Sequence, residues 1–255
     1  MRMARPGERW DIVPVVCLLL SGCSGGAPPD TGTAEADAPT AGAVFSPLRI
    51  VPIDDNVRND TLLVQTTFDL GDGTFVMTAS HVEADDRNGG LRLYRYRPLP
   101  DSNAAILHAS APAYDSWTML PTFFRDPRDS AAWIVLANFG ERQSWGQKVF
   151  RLDAKGFTDL GFLNVALPKH FAEEDGGPKL VGIGPGTRVE GDGEGLLFRF
   201  AVDKLHLFDD LSAREDGSGL DLVLPGGRIT YRWNAAEGMV LHIDGSPRKE
   251  PSPTL

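Results

Sequence analysis

The feature that most constrains this chain is an alternation of apolar and polar residues with a period of two, repeated in short runs and broken by Gly- and Asp-rich turns. Leu196, Phe198, Phe200 and Val202 alternate with Leu197, Arg199 and Ala201, and Ile229, Tyr231 and Trp233 alternate with Arg228, Thr230, Arg232 and Asn234. Successive side chains of a strand point to opposite faces, so each run presents one face to a core and the other to solvent. Residues 131–137 (Ala-Ala-Trp-Ile-Val-Leu-Ala) are apolar without a break, as a central strand covered on both faces requires. Gly71-Asp72-Gly73, Asn88-Gly89-Gly90, residues 173–177, Gly191-Asp192-Gly193 and Pro225-Gly226-Gly227 supply the turns. No long amphipathic helical pattern occurs, and residues 169–174 and 208–215 offer single helical turns at most. The expectation is an all-β domain of consecutive antiparallel hairpins.

A loose internal echo accompanies the alternation. Leu93-Tyr94-Arg95, Val149-Phe150-Arg151, Leu197-Phe198-Arg199 and Thr230-Tyr231-Arg232 each sit in an expected strand that leads through a turn into another; the clearest copy, residues 149–163, turns at Asp153-Ala154-Lys155-Gly156. The arginines are 56, 48 and 33 residues apart. Propeller blades repeat every ~40–50 residues, which suits the first two gaps and not the third. A small propeller-like array and a large β-sandwich both stay open.

Composition removes several classes of activity. The 255 residues carry 25 Lys+Arg against 35 Asp+Glu, a formal charge of -10, with no basic run. Nucleic-acid binding runs on clustered Lys and Arg, so no nucleic-acid partner is expected. Two cysteines exclude a four-ligand zinc framework of the cysteine-rich kind and a multi-disulfide scaffold.

At the N-terminus Arg2, Arg5 and Arg9 precede an apolar run over residues 12–20, which small residues follow, the order of a secretory signal. The run is far shorter than the ~20 residues of a membrane-spanning helix. Its end, Leu20-Ser21-Gly22-Cys23, resembles the lipobox of bacterial lipoproteins. The resemblance implies that residues 1–22 are a signal peptide, that cleavage falls before Cys23, and that acylated Cys23 anchors the chain in a bilayer. Cys17 leaves with the signal, and with it three Arg, one Glu and one Asp. The mature chain then has no free thiol. Ser24 rather than Asp after the cysteine implies, by similarity to the sorting rule of enteric bacteria, an outer-membrane protein facing the periplasm. Residues 23–45 read as the lipidated cysteine and a flexible tether, rich in Gly, Ala, Pro, Thr and acids. A flexible stretch of this length reaches about 25 Å. Residues 46–245 read as a single all-β domain and residues 246–255 as a disordered tail.

Phe75-Val76-Met77-Thr78-Ala79-Ser80-His81 resembles the strand of trypsin-like serine proteases that delivers the catalytic histidine. The resemblance implies His81 as general base, Asp115 as its orienting carboxylate and Ser218 as nucleophile. Around Ser218, however, the chain reads Asp216-Gly217-Ser218-Gly219-Leu220, with the acid one place too far upstream and Leu where the family has Gly. Those glycines shape the oxyanion hole. Asp69-Leu70-Gly71-Asp72-Gly73 and Glu190-Gly191-Asp192-Gly193-Glu194 carry acids but not the spacing of a calcium loop, and Asp and Gly suit turns for backbone reasons alone. His81, His108, His170, His206 and His242 show no metal-ligand spacing. No metal and no cofactor are expected. Tyr94-Arg95-Tyr96-Arg97, Phe198-Arg199-Phe200 and Tyr231-Arg232-Trp233 interleave arginine with aromatic residues, a pattern that stacks a sugar or a partner side chain and equally ties neighbouring strands together. The leading expectation is a non-catalytic envelope lipoprotein whose β domain binds a protein, glycan or other envelope component. The alternatives are the lipid-anchored protease and an immunity-type lipoprotein.

Overall fold

The computed structural model describes residues 42–48, 52–53, 57–83, 90–110, 119–139, 146–168, 183–191, 193, 195–208 and 221–248. Strands dominate them: β1 (Val44–Leu48), β2 (Pro52–Ile53), β3 (Leu62–Asp69), β4 (Phe75–His81), β5 (Leu91–Pro98), β6 (Ala104–Ala109), β7 (Met119–Arg125), β8 (Trp133–Phe139), β9 (Gln147–Asp153), β10 (Gly156–Leu163), β11 (Val165–Ala166), β12 (Thr187–Gly191), β13 (Gly195–Phe200), β14 (Lys204–Phe208), β15 (Asp221–Pro225), β16 (Ile229–Asn234), β17 (Gly238–Ile243) and β18 (Ser246–Arg248). Short 3-10 turns occupy Gly184–Gly186 and Gly226–Arg228. The expected turn at residues 208–215 begins instead on a strand residue, Phe208 of β14, and its remainder lies outside the described residues, as does 169–174.

The protein is all-β, and the ladders between these strands are antiparallel. Three meanders follow one another along the chain: β3 to β6, β7 to β10, and β12-β13-β16-β17. The last encloses the β14-β15 hairpin, which forms a separate sheet with β11. This insertion explains the uneven echo. Arg95, Arg151 and Arg232 sit on the third strand of the three meanders, whereas Arg199 sits on a second strand, so the gap of 33 residues is the span of an inserted hairpin rather than a short repeat.

β1 joins the second and third meanders. Val44 and Phe45 pair with Glu190 and Val189 of β12, and Ser46, Pro47 and Leu48 then pair with Arg125, Phe124 and Phe123 of β7. The result is one ten-stranded sheet in the order β10-β9-β8-β7-β1-β12-β13-β16-β17-β18, not two separate blades. The sheet curls until β10 meets β17: a Cβ on Gly161 would lie 2.9 Å from Cβ of Met239. Strands thus run from Val44 to Arg248, entering by two residues the stretch expected as tether and by three the stretch expected as tail.

Two cores share the second meander. Trp133, Val135 and Ala137 of β8 pack with Phe123, Phe150 and Leu152 against Phe68, Val76, Leu91 and Leu93 of the five-stranded sheet β2 to β6 and against Leu70 in the turn between β3 and β4. Ile134 and Leu136 point the other way, with Phe124 and Val149, into the curl lined by Val189, Leu196, Phe198, Tyr231 and Leu241. The unbroken apolar run is therefore a strand buried on both faces, each large side chain contributing about 1.5–3 kcal/mol of transfer free energy. Face-to-face stacking of the first meander on the second is a sandwich arrangement. A smaller cluster of Leu62, Met77, Ala79, Tyr94 and Tyr96 lies on the far face of the five-stranded sheet.

Candidate functional site

Arginines hold the stacked sheets together at their margin. Arg95, only 7% exposed, leaves β5 on the same side as Leu91 and Leu93. Its Nε donates to Thr74 Oγ1 (3.0 Å), Nη2 to Asp72 Oδ2 (3.0 Å), and Nη1 crosses to the carbonyl of Asp153 in the β9-β10 turn (2.9 Å). Burial raises the pKa of Asp72, but the hydroxyl and amide of Thr74 and the charge of Arg95 more than offset it and hold the carboxyl below its ordinary value. From the opposing sheet Arg125 lies over the Trp133 ring at 4.7 Å and donates to the carbonyl of Leu70 (3.3 Å). This is a joint, with all three side-chain nitrogens of Arg95 bonded internally.

The third meander treats its arginines differently. Inward positions of β12, β13, β16 and β17 fill the curl, and on their outward face Arg188, Arg199 and Arg232 are exposed. Register places Arg188 opposite Arg199, Arg199 opposite Thr230, and Thr230 opposite His242 in one row; Glu190, Leu197, Arg232 and Val240 form the next. The 3-10 turn carrying Arg228 and the hairpin turn Asp244-Gly245 wall this face. Together they form a trough of about 410 Å³ lined by Arg199, Arg228, Thr230, Arg232, His242 and Asp244, which continues over Gly227 into a recess of about 220 Å³ beside Arg188. Four arginines there face two carboxylates, Glu190 and Asp244. Arg199 is 54% exposed and holds Glu190 at 3.3 Å. Arg228 grips both oxygens of Asp244, at 2.8 and 2.5 Å. This hydrogen bonding lowers the Asp244 pKa and raises that of Arg228.

The other sequence candidates fall elsewhere. His81 ends β4, half-buried, and its Nδ1 lies 3.2 Å from the amide and 3.1 Å from the carbonyl of Glu83, the nitrogen that in a catalytic triad faces a carboxylate. Asp115, Ser218 and Cys23 lie outside the described residues. In the Gly71 turn the carboxylates of Asp69 and Asp72 accept the amides of Gly71 and Thr74, at 2.7 and 2.9 Å, which is turn chemistry. Among the described residues no group of three His, Cys, Asp or Glu side chains is placed to hold a metal ion. His108 packs on Gly156, His206 lies on β14 and His242 lines the trough, while His170 is outside the described residues. Sequence reasoning singled out Arg199 and Arg232 but missed Arg188, Arg228 and Asp244. The alternation Thr187-Arg188-Val189-Glu190 and the Asp244-Gly245 turn were the available signals. No protein-family model, curated protein or solved structure matches the chain.

Proposed function

We propose that this chain is a bacterial envelope lipoprotein, anchored in the outer membrane through acylated Cys23 and facing the periplasm, whose β domain is a non-catalytic module for binding an envelope component. The observation that carries the binding reading is the trough: four exposed arginines gathered on one sheet face of a chain whose net charge is -10. Unlike the buried Arg95, these side chains are exposed to solvent. A concave surface with converging polar groups is the ordinary form of a binding site. The lipobox and the short tether support the anchored location.

Cross-linking in cells, followed by identification of whatever is captured, tests this reading, with Cys23→Ser as the control for location. One dominant envelope partner, lost in Cys23→Ser and in Arg199→Glu, is expected. Capture of an incoming toxin would make the protein the immunity-type member of the same binding class. Labelling of Ser218 by a fluorophosphonate in the folded chain would overturn the non-catalytic reading in favour of the protease.

A further inference from the structure

We infer that the trough takes a ligand bearing oxyanions, phosphate or carboxylate, and that the ligand binds by replacing Asp244 on Arg228. The inference rests on the binding-module reading and names its ligand chemistry.

Three observations converge on it. Arg188 and Arg199 are direct cross-strand partners, an arrangement of like charges that destabilises a sheet unless an anion lies between them. Arg199 has Glu190, but Arg188 meets no carboxylate among the described residues. Among the described residues the row therefore holds positive charge that no carboxylate neutralises.

The second observation is that every cation lining the trough and its recess, histidine aside, is an arginine. A guanidinium presents a planar fork of donors that matches two oxygens of a carboxylate or phosphate, where a lysine would offer a point charge. Asp244 already shows that match, with two oxygens on two nitrogens of Arg228.

Third, the Arg228–Asp244 pair is exchangeable. Its side chains are 48% and 53% exposed, and exposed pairs contribute little to stability. The backbone holds the two residues in place independently, through the Asp244 amide donating to the Arg228 carbonyl at 2.9 Å. A ligand oxyanion could take Arg228 while also reaching Arg199 and Arg188, contacts that Asp244 alone does not make. The volume of about 410 Å³ lies at the small end of ligand sites, so a single charged sugar or short acidic segment fits better than a broad surface.

Asp244→Asn provides a test of opposite sign to the usual loss-of-function variant. Asp244 has φ +53°, a conformation that Asn also tolerates, so the turn survives the change. Binding of inorganic phosphate, trigalacturonate and phosphatidylglycerol vesicles is measured by calorimetry or sedimentation on the unlipidated mature form, residues 23–255 with Cys23→Ser, with and without second substitutions. Saturable binding of phosphate or trigalacturonate is expected, and whichever binds identifies the source of the oxyanion. Arg199→Gln should weaken it about tenfold or more, as loss of a charge-assisted contact does, while Asp244→Asn tightens it several-fold. Added salt should weaken it. No saturable binding of either soluble anion, or an Asp244→Asn chain that binds no tighter, overturns the inference. Vesicle binding alone would replace it with a lipid surface. If cross-linking captures a partner while both anions fail, the binding-module reading stands and only its oxyanion chemistry falls.

Discussion

Tyr94-Arg95-Tyr96 and Tyr231-Arg232-Trp233 are nearly the same tripeptide on the third strand of the first and third meanders, yet they are oriented oppositely. In β5 the tyrosines turn to the small outer cluster and Arg95 is driven between two stacked sheets. In β16 Tyr231 fills the curl and Arg232 faces out into the trough. The residue pattern fixes that arginine and aromatic go to opposite faces. Which face another sheet covers decides whether the arginine becomes a structural tie or a surface that binds.

The sharpest way to break this contrast is to remove one arginine from each region. Arg95→Ala removes the cationic partner of Asp72 and the donor to the Asp153 carbonyl and should cost about 3 kcal/mol in urea unfolding, as broken buried pairs do. Arg199→Ala should cost less than about 1 kcal/mol, the range of exposed pairs. Equal costs would erase the distinction.

Glycines give a second comparison. Gly156 has φ +115° and a Cβ there would lie 3.0 Å from the His108 ring, so Gly156→Ala should lower stability by about 2 kcal/mol through backbone strain and displaced packing. Gly227, beside the trough, has no atom within 4 Å of its would-be Cβ and an ordinary φ. Gly227→Ala should leave the melting temperature nearly unchanged.

Acid sharpens the comparison further. Asp72 and buried Asp126 both titrate below their ordinary value: burial raises each, and hydrogen bonds to Thr74 and Arg128 respectively, with nearby arginine charge, more than offset it. A depressed carboxyl contributes stability that is complete above the unfolded-state pKa, near 3.9, and is lost as pH falls through the folded value. Stability should therefore drop below about pH 4, and the drop should be shallower in Asp72→Asn. A small effect also belongs to Arg188→Gln, expected to shift stability by no more than about 0.5 kcal/mol, upward if the repulsion with Arg199 is felt.

Much of the fold was legible because it depends on local periodicity. Alternation located β13 and β16, the Asp153–Gly156 turn separated β9 from β10, and the uninterrupted run at 131–137 marked the strand between two cores. The echo was legible as a motif but not as a repeat, since a hairpin inserted between β13 and β16 changes spacing without changing the motif. Legibility ended where sheets meet. Nothing near Arg95 in sequence says that Asp153 will lie above it, and nothing near Arg199 says that β12 sets a second arginine opposite. The trough also draws Arg228 and Asp244 from turns, where periodicity carries no signal.

β1 gives the order of chain synthesis a structural consequence. Its second half can pair with β7 early, but its first half waits for β12, since Val44 is matched with Glu190, roughly 145 residues later. At ~5–20 residues per second that wait is on the order of ten to thirty seconds. Throughout it the strand offers an open edge and an uncovered Phe45, a template for pairing with another chain. A chain cut short after β10 would hold that incomplete edge permanently, and aggregation rather than a smaller folded domain is its expected fate.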